Sequence, residues 1–460
     1  MIGIRCLLKI SASVLIAAFA RENVQAQSFK LLRFDEDYTH LADSGRNFYN
    51  RLKHSQISSS DPVMLSIGGE IRYEWALKAG ESWIANQGFN YSFLQRYSLH
   101  AGVRSGDHIR FFAQLNSSLE NGSKFAVSTL DEDKINVQDL FIDYDFSSTP
   151  ALQLLLRIGR QELDYGSGRL VSVRDGNNSR QYFTGLKFSY NKPKVKIDAF
   201  VLAADRTNPG SFDNETKFQG NLWGAYSDIR FAQTVNFDFY YLGAMREQSR
   251  FEAGTDREVR HTVAIRHWKD DKLFKYNIET AYQFGKFGQN QISAWTLAIE
   301  LRYRFNRVKF TPTVNLRHDY ISGDKNALDN KLNSFNPLYP KGGYFGFNPL
   351  IGPSNLIDIH PYLTINFTDR FLFQIDLVYN WRYSLQDGIF HPSGSFNIEG
   401  SDSIARYIGT TYLLSADYRI NNHFSLSAGY QYFRVGGFIK DVIPVNANSR
   451  FFNTQLSFKF

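Results

Sequence analysis

From Met64 onward, apolar and polar side chains alternate with few interruptions. A period of two puts successive side chains on opposite faces of a strand, one greasy and one wet. The alternation predicts strands at about 64–77, 91–104, 108–120, 135–146, 152–163, 179–190, 194–204, 220–231 and 234–245. It continues at about 258–268, 273–286, 290–305, 307–321, 358–367, 370–384, 403–420, 422–435 and 449–460, eighteen strands in all. The connections alternate as well. Short ones fall at Ser105-Gly106-Asp107, Ser147 to Pro150, Asn191-Lys192-Pro193, Ala232-Gln233, Lys269 to Lys272, Asn306, Thr368-Asp369 and Asn421-Asn422. Long ones cover 78–90, 119–134, 164–178, 205–219, 246–257, 322–357, 385–402 and 436–448, and the link near Phe287 to Gln289 is a short exception. An even number of strands with short turns at one end and long loops at the other predicts an all-β, antiparallel transmembrane barrel.

Parity assigns the faces. In 64–77, Leu65, Ile67, Ile71, Tyr73, Trp75 and Leu77 face lipid, and Glu70, Arg72 and Glu74 face the lumen. In 290–305, Trp295, Leu297, Ile299 and Leu301 face out, and Glu300, Arg302 and Arg304 face in. In 370–384, Phe371, Phe373 and Ile375 face out, and Arg382 faces in. The final strand sets Phe452, Thr454, Leu456, Phe458 and Phe460 on one face, against Asn453, Gln455, Ser457 and Lys459 on the other. That terminal aromatic resembles the last strand of Gram-negative outer-membrane barrels, which the barrel-assembly machinery reads.

The N-terminus fits an exported protein. Arg5 and Lys9 precede a short apolar run, Ile10 to Ala20, and Val24-Gln25-Ala26 offers small residues for cleavage. Residues 1–26 therefore read as a signal peptide, too short to span a membrane. Residues 27–60 are charged, lack long alternation, and read as a periplasmic N-terminal segment, either a flexible leader or a piece folded against the barrel mouth. Residues 61–460 form the barrel. Cys6 is the only cysteine, so the cleaved chain has neither a disulfide nor a thiolate metal site.

Composition narrows the class. Aromatics make up 16% of the chain, with 40 Phe and 26 Tyr, yet mean hydropathy is only −0.35. Many aromatics without long apolar runs suit a barrel greasy only on its outer face; a soluble β-rich protein is the plain alternative. Cleavage removes Arg5, Lys9, Arg21 and Glu22 and takes the net charge from +7 to +5. That mild bias permits an anionic solute, and the absence of a basic block argues against nucleic acid.

The chemistry that stands out is in the lumen. Parity turns Arg72, Arg96, Arg104, Arg110, Arg157, Arg302, Arg304, Arg317 and Arg382 inward, among carboxylates that include Glu70, Glu74 and Glu300. Arginine keeps its charge and forks onto carboxylates, and rings of it select anions in pores. The competing reading is that these groups pair with one another and brace the wall. Enzyme motifs are sparse: neither G-x-S-x-G nor H-E-x-x-H occurs, and no cofactor is expected. His318 with Asp319 is the nearest approach to a hydrolytic pair. Asp131-Glu132-Asp133 reads as solvated loop charge more readily than as a cation site.

Several stretches resemble the alginate-export family of outer-membrane barrels. Arg157-Ile158-Gly159-Arg160-Gln161-Glu162-Leu163-Asp164-Tyr165-Gly166, followed by Gly168-Arg169-Leu170, is similar to one family segment, and Leu222-Trp223-Gly224-Ala225-Tyr226 to another. The long loop carries the most specific likeness: Phe335-Asn336-Pro337-Leu338-Tyr339-Pro340, Gly343-Tyr344-Phe345-Gly346 and Ile351-Gly352-Pro353-Ser354-Asn355-Leu356. Trp381-Arg382, Asp387-Gly388 and Tyr407-Ile408-Gly409 continue it over roughly 64–460. The resemblance implies a monomeric 18-stranded channel, not an enzyme, with an arginine-lined lumen passing an anionic polysaccharide; a general or different-substrate porin is the alternative. It adds Arg160 and Arg169 to the substrate path. Parity turns Arg160 outward, and a bulge at Gly159 would re-aim it inward, the placement the resemblance favours. Export or uptake partners in the periplasm stay open. One departure is plain: the family's long periplasmic plug turn has no counterpart at Asn421-Asn422, which leaves residues 27–60 to close the pore, or nothing to close it from that side.

Overall fold

The computed structural model describes residues 29–460 except 42–46, 59–62, 148, 150, 217–219 and 233, so the expected signal peptide lies outside the described residues. Eighteen long strands follow one another around a closed barrel. They are β1 (Val63–Ala79), β2 (Phe89–Ser105), β3 (Ile109–Asn121), β4 (Asp133–Asp145), β5 (Gln153–Gln161) and β6 (Phe183–Lys192). Next come β7 (Val195–Ala204), β8 (Gly220–Arg230), β9 (Val235–Phe251), β10 (Gly254–Lys269), β11 (Phe274–Phe287) and β12 (Asn290–Arg304). The circuit ends with β13 (Thr313–Ile321), β14 (Leu356–Thr368), β15 (Phe371–Arg382), β16 (Tyr407–Arg419), β17 (Phe424–Val435) and β18 (Ser449–Lys459). Each pairs antiparallel with its neighbour in sequence, and β18 closes on β1 from Glu70–Lys459 to Ala79–Arg450. Closure pairs the first and last strands over this stretch, the condition for strands to cross hydrocarbon.

The outer wall is apolar. Val201, Ile158, Leu99 and Leu186 are each about half exposed or more, at 66%, 53%, 52% and 49%. Exposed Tyr144, Phe305, Phe367 and Tyr418 cluster toward the short-turn end, and Trp75, Tyr91, Tyr282 and Tyr379 toward the other, as two aromatic girdles. Among the described residues no helix is long and apolar enough to cross a membrane.

Three expectations change. Residues 246–257 are not a long loop: β9 and β10 run on as a hairpin to Phe251 and Gly254, with a register shift between Arg246 and Ser249. The predicted strand at 307–321 starts only at Thr313, because Phe310 and Thr311 take positive φ in a turn before Pro312. Residues 179–182 belong to the preceding loop, since β6 begins at Phe183.

Two kinds of segment fold inward. The loops 162–182 and 322–355 run alongside each other inside the barrel: Tyr339 N–H donates to Leu170 (2.9 Å), Ser172 N–H to Tyr339 (2.9 Å) and Lys341 N–H to Gly168 (2.8 Å). Their Leu163, Leu170, Val171, Phe335, Leu338 and Tyr339 join inward strand residues such as Phe200, Leu222 and Tyr240 in one apolar core. The described parts of the N-terminal segment enter at the short-turn end. Phe34 packs edge-on against inward Phe112 and Phe141, with ring centroids 5.8 and 5.2 Å away. Helix α1 (Phe48–Lys53) sets Tyr49 against Phe458 and Phe460 at the closing seam. Ser55–Gln56 pairs with Leu65 and Met64, the part of β1 that overruns the C-terminus and so has a free edge. Terminal Phe460 exchanges backbone hydrogen bonds with Gly69 (3.0 Å each way), and a Cβ at Gly69 would fall 2.8 Å from its ring.

Candidate functional site

The lumen wall is built by the inward residues of successive strands, so the register decides which charges meet. β1 and β2 set Arg72 directly opposite Arg96, and β2 and β3 set Arg104 directly opposite Arg110. Like charges opposite one another destabilise a ladder unless an anion lies between or beside them. The structure supplies those anions sparingly. Asp143 takes both Arg110 (2.5 Å) and Arg157 (2.8 Å). Glu300 takes both Arg302 (2.7 Å) and Arg317 (3.2 Å) and the Tyr362 hydroxyl (2.8 Å). Glu70 takes Arg33 (2.7 Å) and Arg96 (3.2 Å). At Asp143 and Glu300 two guanidinium groups share one carboxylate, whereas Arg33 and Arg96 reach Glu36 and Asp175 as well as Glu70.

Toward the short-turn end the Asp143 cluster borders a cavity of about 320 Å³ beside the N-terminal segment. Arg104, Arg110, Arg157, Lys187 and Lys196 line it, together with Asp107, Asp143, Asp145 and the acidic stretch Asp35, Glu36 and Asp37. Arg104 and Lys196 are exposed there. Arg157 is nearly buried and stacks over Phe141 and Phe34, 3.7 and 4.1 Å from their centroids. Arg302, at the same end, keeps 42% of its side chain exposed, and exposed Arg304 donates to the Thr311 hydroxyl (3.2 Å).

The remaining predicted positions hold the wall or the loops. Glu74 accepts from Asn453 (2.8 Å) across the closing seam. Arg382 is fully buried and donates to the carbonyls of Leu385, Asp387, Gly400, Ser403 and Ala405, with Phe438 of α2 (Gly437–Val442) stacked 4.1 Å from its guanidinium. It organises the loop at 383–406. Arg169, carried on the inward loop, reaches the opposite wall at Asp319 and Glu279. Arg160 departs from the inward placement. The register runs unbroken through Gly159 despite its φ of +133°, so Arg160 lies on the outward face with Leu140 and Ile158. Its side chain then bends over the rim to Asp205 (3.1 Å) and the Val137 carbonyl (2.8 Å). His318 and Asp319 are neighbours on one strand and face opposite ways: His318 shares a face with outward Tyr320, and Asp319 is buried against Arg169. They form no hydrolytic pair. Among the described residues no group of metal-ligating side chains assembles, Asp131-Glu132-Asp133 included.

Parity could not find the residues outside the strands. Arg33, Asp175 and Arg180 complete a chain of ion pairs from the N-terminal segment to the inward loop: Arg33–Glu70–Arg96–Asp175–Arg180–Glu162. Arg180 also donates to the Leu31 carbonyl (2.8 Å) and Arg110 to that of Phe34 (2.6 Å). The only hint in the sequence is charge density in segments without alternation. Nearby, Lys53 is buried with its ammonium 4.6 Å from the Tyr38 ring, and burial pushes it down to about 8.

The architecture matches solved outer-membrane proteins. Pseudomonas aeruginosa OpdK superposes with a TM-score of 0.60 at 11% identity, covering 86% of this chain and 98% of that one. Acinetobacter baumannii OccAB1 gives 0.59 at 12%, covering 89% and 99%, and Pseudomonas aeruginosa OpdO gives 0.57 at 14%, covering 86% and 97%. At such identities the likeness is one of fold. No curated protein matches by sequence. The family model described as alginate export matches residues 63–453, the whole circuit of strands but the last few residues of β18. An outer-membrane barrel with this register and these inward loops, the chain belongs to the alginate export family.

Proposed function

We propose that this outer-membrane channel passes an anionic saccharide, with the lumen arginines as its contact surface and the short-turn mouth in the periplasm. The observation that carries the reading is the crowding of guanidinium groups on the barrel wall beside the cavity: Arg104 opposes Arg110 across the ladder, and Asp143 alone answers Arg110 and Arg157 together. Residues 1–26 act as the signal peptide, 27–60 as a periplasmic segment that plugs the mouth, and 61–460 as the barrel. The fit of Phe34 against the stacked pair Phe112 and Phe141 supports the plug.

A carboxylated sugar entering the cavity exchanges water for arginine forks. Arg104, with Arg110 and Arg157, offers one contact, and Arg302 with Arg317 offers another. Several weak sites rather than one tight site let the solute leave again. The barrel holds no energy source, so flux follows the gradient.

The test is the reversal potential of the refolded mature protein in a planar bilayer under a salt gradient. Wild type is expected to prefer anions, and Arg157→Ala/Arg302→Ala to lose most of that preference while still conducting. A double variant with unchanged selectivity, or a cation-selective wild type, refutes the reading.

A further inference from the structure

Arg72 and Arg96 face each other across β1 and β2, both almost wholly buried, at 3% and 1% exposure. Two buried cations in that register need an anion, because burial without a partner is costly for each. The wall itself offers Arg96 only Glu70. The rest comes from the inward loop. Arg72 donates to the carbonyls of Asp175 (2.9 Å) and Asn177 (2.7 Å). Arg96 donates to the Asp175 carbonyl (3.2 Å) and to its Oδ1 (2.9 Å). Arg180, on the same loop, donates to that Oδ1 as well (2.8 Å). Two arginines, one from a strand and one from the loop, thus converge on the Asp175 carboxylate, and Arg72 beside them holds the backbone that carries it.

The asymmetry of burial is informative. The side chains of Arg96 and Arg180 are 1% and 3% exposed, whereas that of Asp175 is 37% exposed. The cations are fixed in the wall and loop, and the anion that occupies them is the most exposed member of the group. The occupant is also held on a bent backbone: Arg174, immediately before it, has φ +55°, a left-handed conformation that a side chain adopts at a cost. Against the upward push of burial, Arg96, Arg180 and Arg72 hold the Asp175 carboxyl well below its ordinary value, so it stays charged.

We infer that Arg72, Arg96 and Arg180 form a carboxylate-binding site of the channel, which Asp175 occupies as an internal stand-in for the carboxylate of a uronate. The inference rests on the anionic-saccharide reading and adds a location and a competitor to it. An arriving uronate takes the arginine donors that Asp175 holds, and the tip of the loop at 174–178 leaves the wall. The site is therefore weak while Asp175 is present, and solute and loop bind in competition.

The experiment is calorimetric titration of trigalacturonate into the folded mature chain in detergent, with maltotriose as the uncharged probe. Asp175→Asn, which keeps the shape and removes the charge, is expected to bind trigalacturonate about tenfold tighter than wild type, the scale of one charge-assisted contact. Maltotriose binding is expected not to change, and Asp175→Glu to stay near wild type. Equal or weaker trigalacturonate affinity in Asp175→Asn overturns the site. In wild type, saturating trigalacturonate is expected to speed hydrogen exchange at Asn177 and Asn178; unaltered exchange there also overturns it, without requiring any variant to fold. The bilayer measurement keeps the two readings apart. A cation-selective wild type defeats the anionic channel, whereas an anion-selective barrel whose affinity ignores position 175 defeats only the carboxylate site.

Discussion

Replacing Phe34 by Ala separates docking of the N-terminal segment from folding of the barrel. Phe34 is 3% exposed, meets Phe112 and Phe141 edge-on, and lies under the Arg157 guanidinium. Burying its ring contributes about 2 kcal/mol. Two edge-to-face contacts add about 1 kcal/mol each, and the cation–π contact about 1 kcal/mol. Part of this survives the change, since Arg157 and Phe141 still stack on each other at 3.7 Å. A net loss of about 3 kcal/mol is expected, within the range for removing a buried aromatic. That loss changes the docked-to-free ratio by about 150-fold. Lys30 and Arg33 are native trypsin sites inside the docked stretch, and Arg33 is buried on Glu70. Cleavage there reports the undocked fraction when opening is fast relative to cutting. Phe34→Ala in detergent is expected to be cut after Arg33 roughly 100-fold faster than wild type, with the barrel's own melting hardly altered. Equal cutting rates would refute the docking argument, and a collapsed barrel would show that the segment is part of the core rather than a plug.

Two other outcomes follow from the loops. Arg382→Ala takes a donor from five carbonyls, three of them in buried contacts, and is expected to destabilise the 383–406 loop by about 3–5 kcal/mol, seen as faster hydrogen exchange there, with ion selectivity unchanged. Burial raises Asp387, which accepts from the Ser334 hydroxyl and the Asp324 N–H, to about 7. The folded loop therefore holds this proton more tightly than an unfolded chain, whose carboxyl titrates near ~3.9. The stabilisation is complete below that value and is lost as pH rises toward 7. Loop 383–406 is expected to resist proteolysis better at pH 5 than at pH 8, and Asp387→Asn to remove most of the difference; a pH-independent wild-type loop would contradict it.

The barrel was legible because lipid on one side and the lumen on the other impose a strict period of two, from β1 to the Phe460 terminus. The signal fades where that contrast ends. Arg246 to Arg250 are strand, yet both faces there are polar above the apolar band, so the alternation that marks a strand disappears. Before β13 the error runs the other way: Lys309 to Pro312 mimic alternation while the backbone turns. Among the lumen charges, parity turned Arg72, Arg110, Arg157 and Glu300 inward; the last three find their partners on their own or the neighbouring strand, whereas those of Arg72 come from a distant loop that no pattern in the strand names. Register kept Arg160 outward where the motif pointed inward. Arg33, Asp175 and Arg180 escaped because nothing local dictates that a loop folds into a barrel; that depends on filling the space between walls far apart in sequence.

The run of ion pairs from Arg33 to Glu162 also has a mechanical meaning. Its first member sits on the segment nearest the short-turn mouth, and its last on a loop rooted at the opposite rim. Tension from the N-terminal side bears first on the Leu31 carbonyl and Arg180, and then on Arg33 with Glu70 and on Phe34. The wall strands, stiffened by continuous ladders, do not yield to it. The pairs through Glu70 and Arg96 therefore anchor the N-terminal segment and the inward loop to the wall, and the Arg180–Leu31 hydrogen bond ties the two to each other directly.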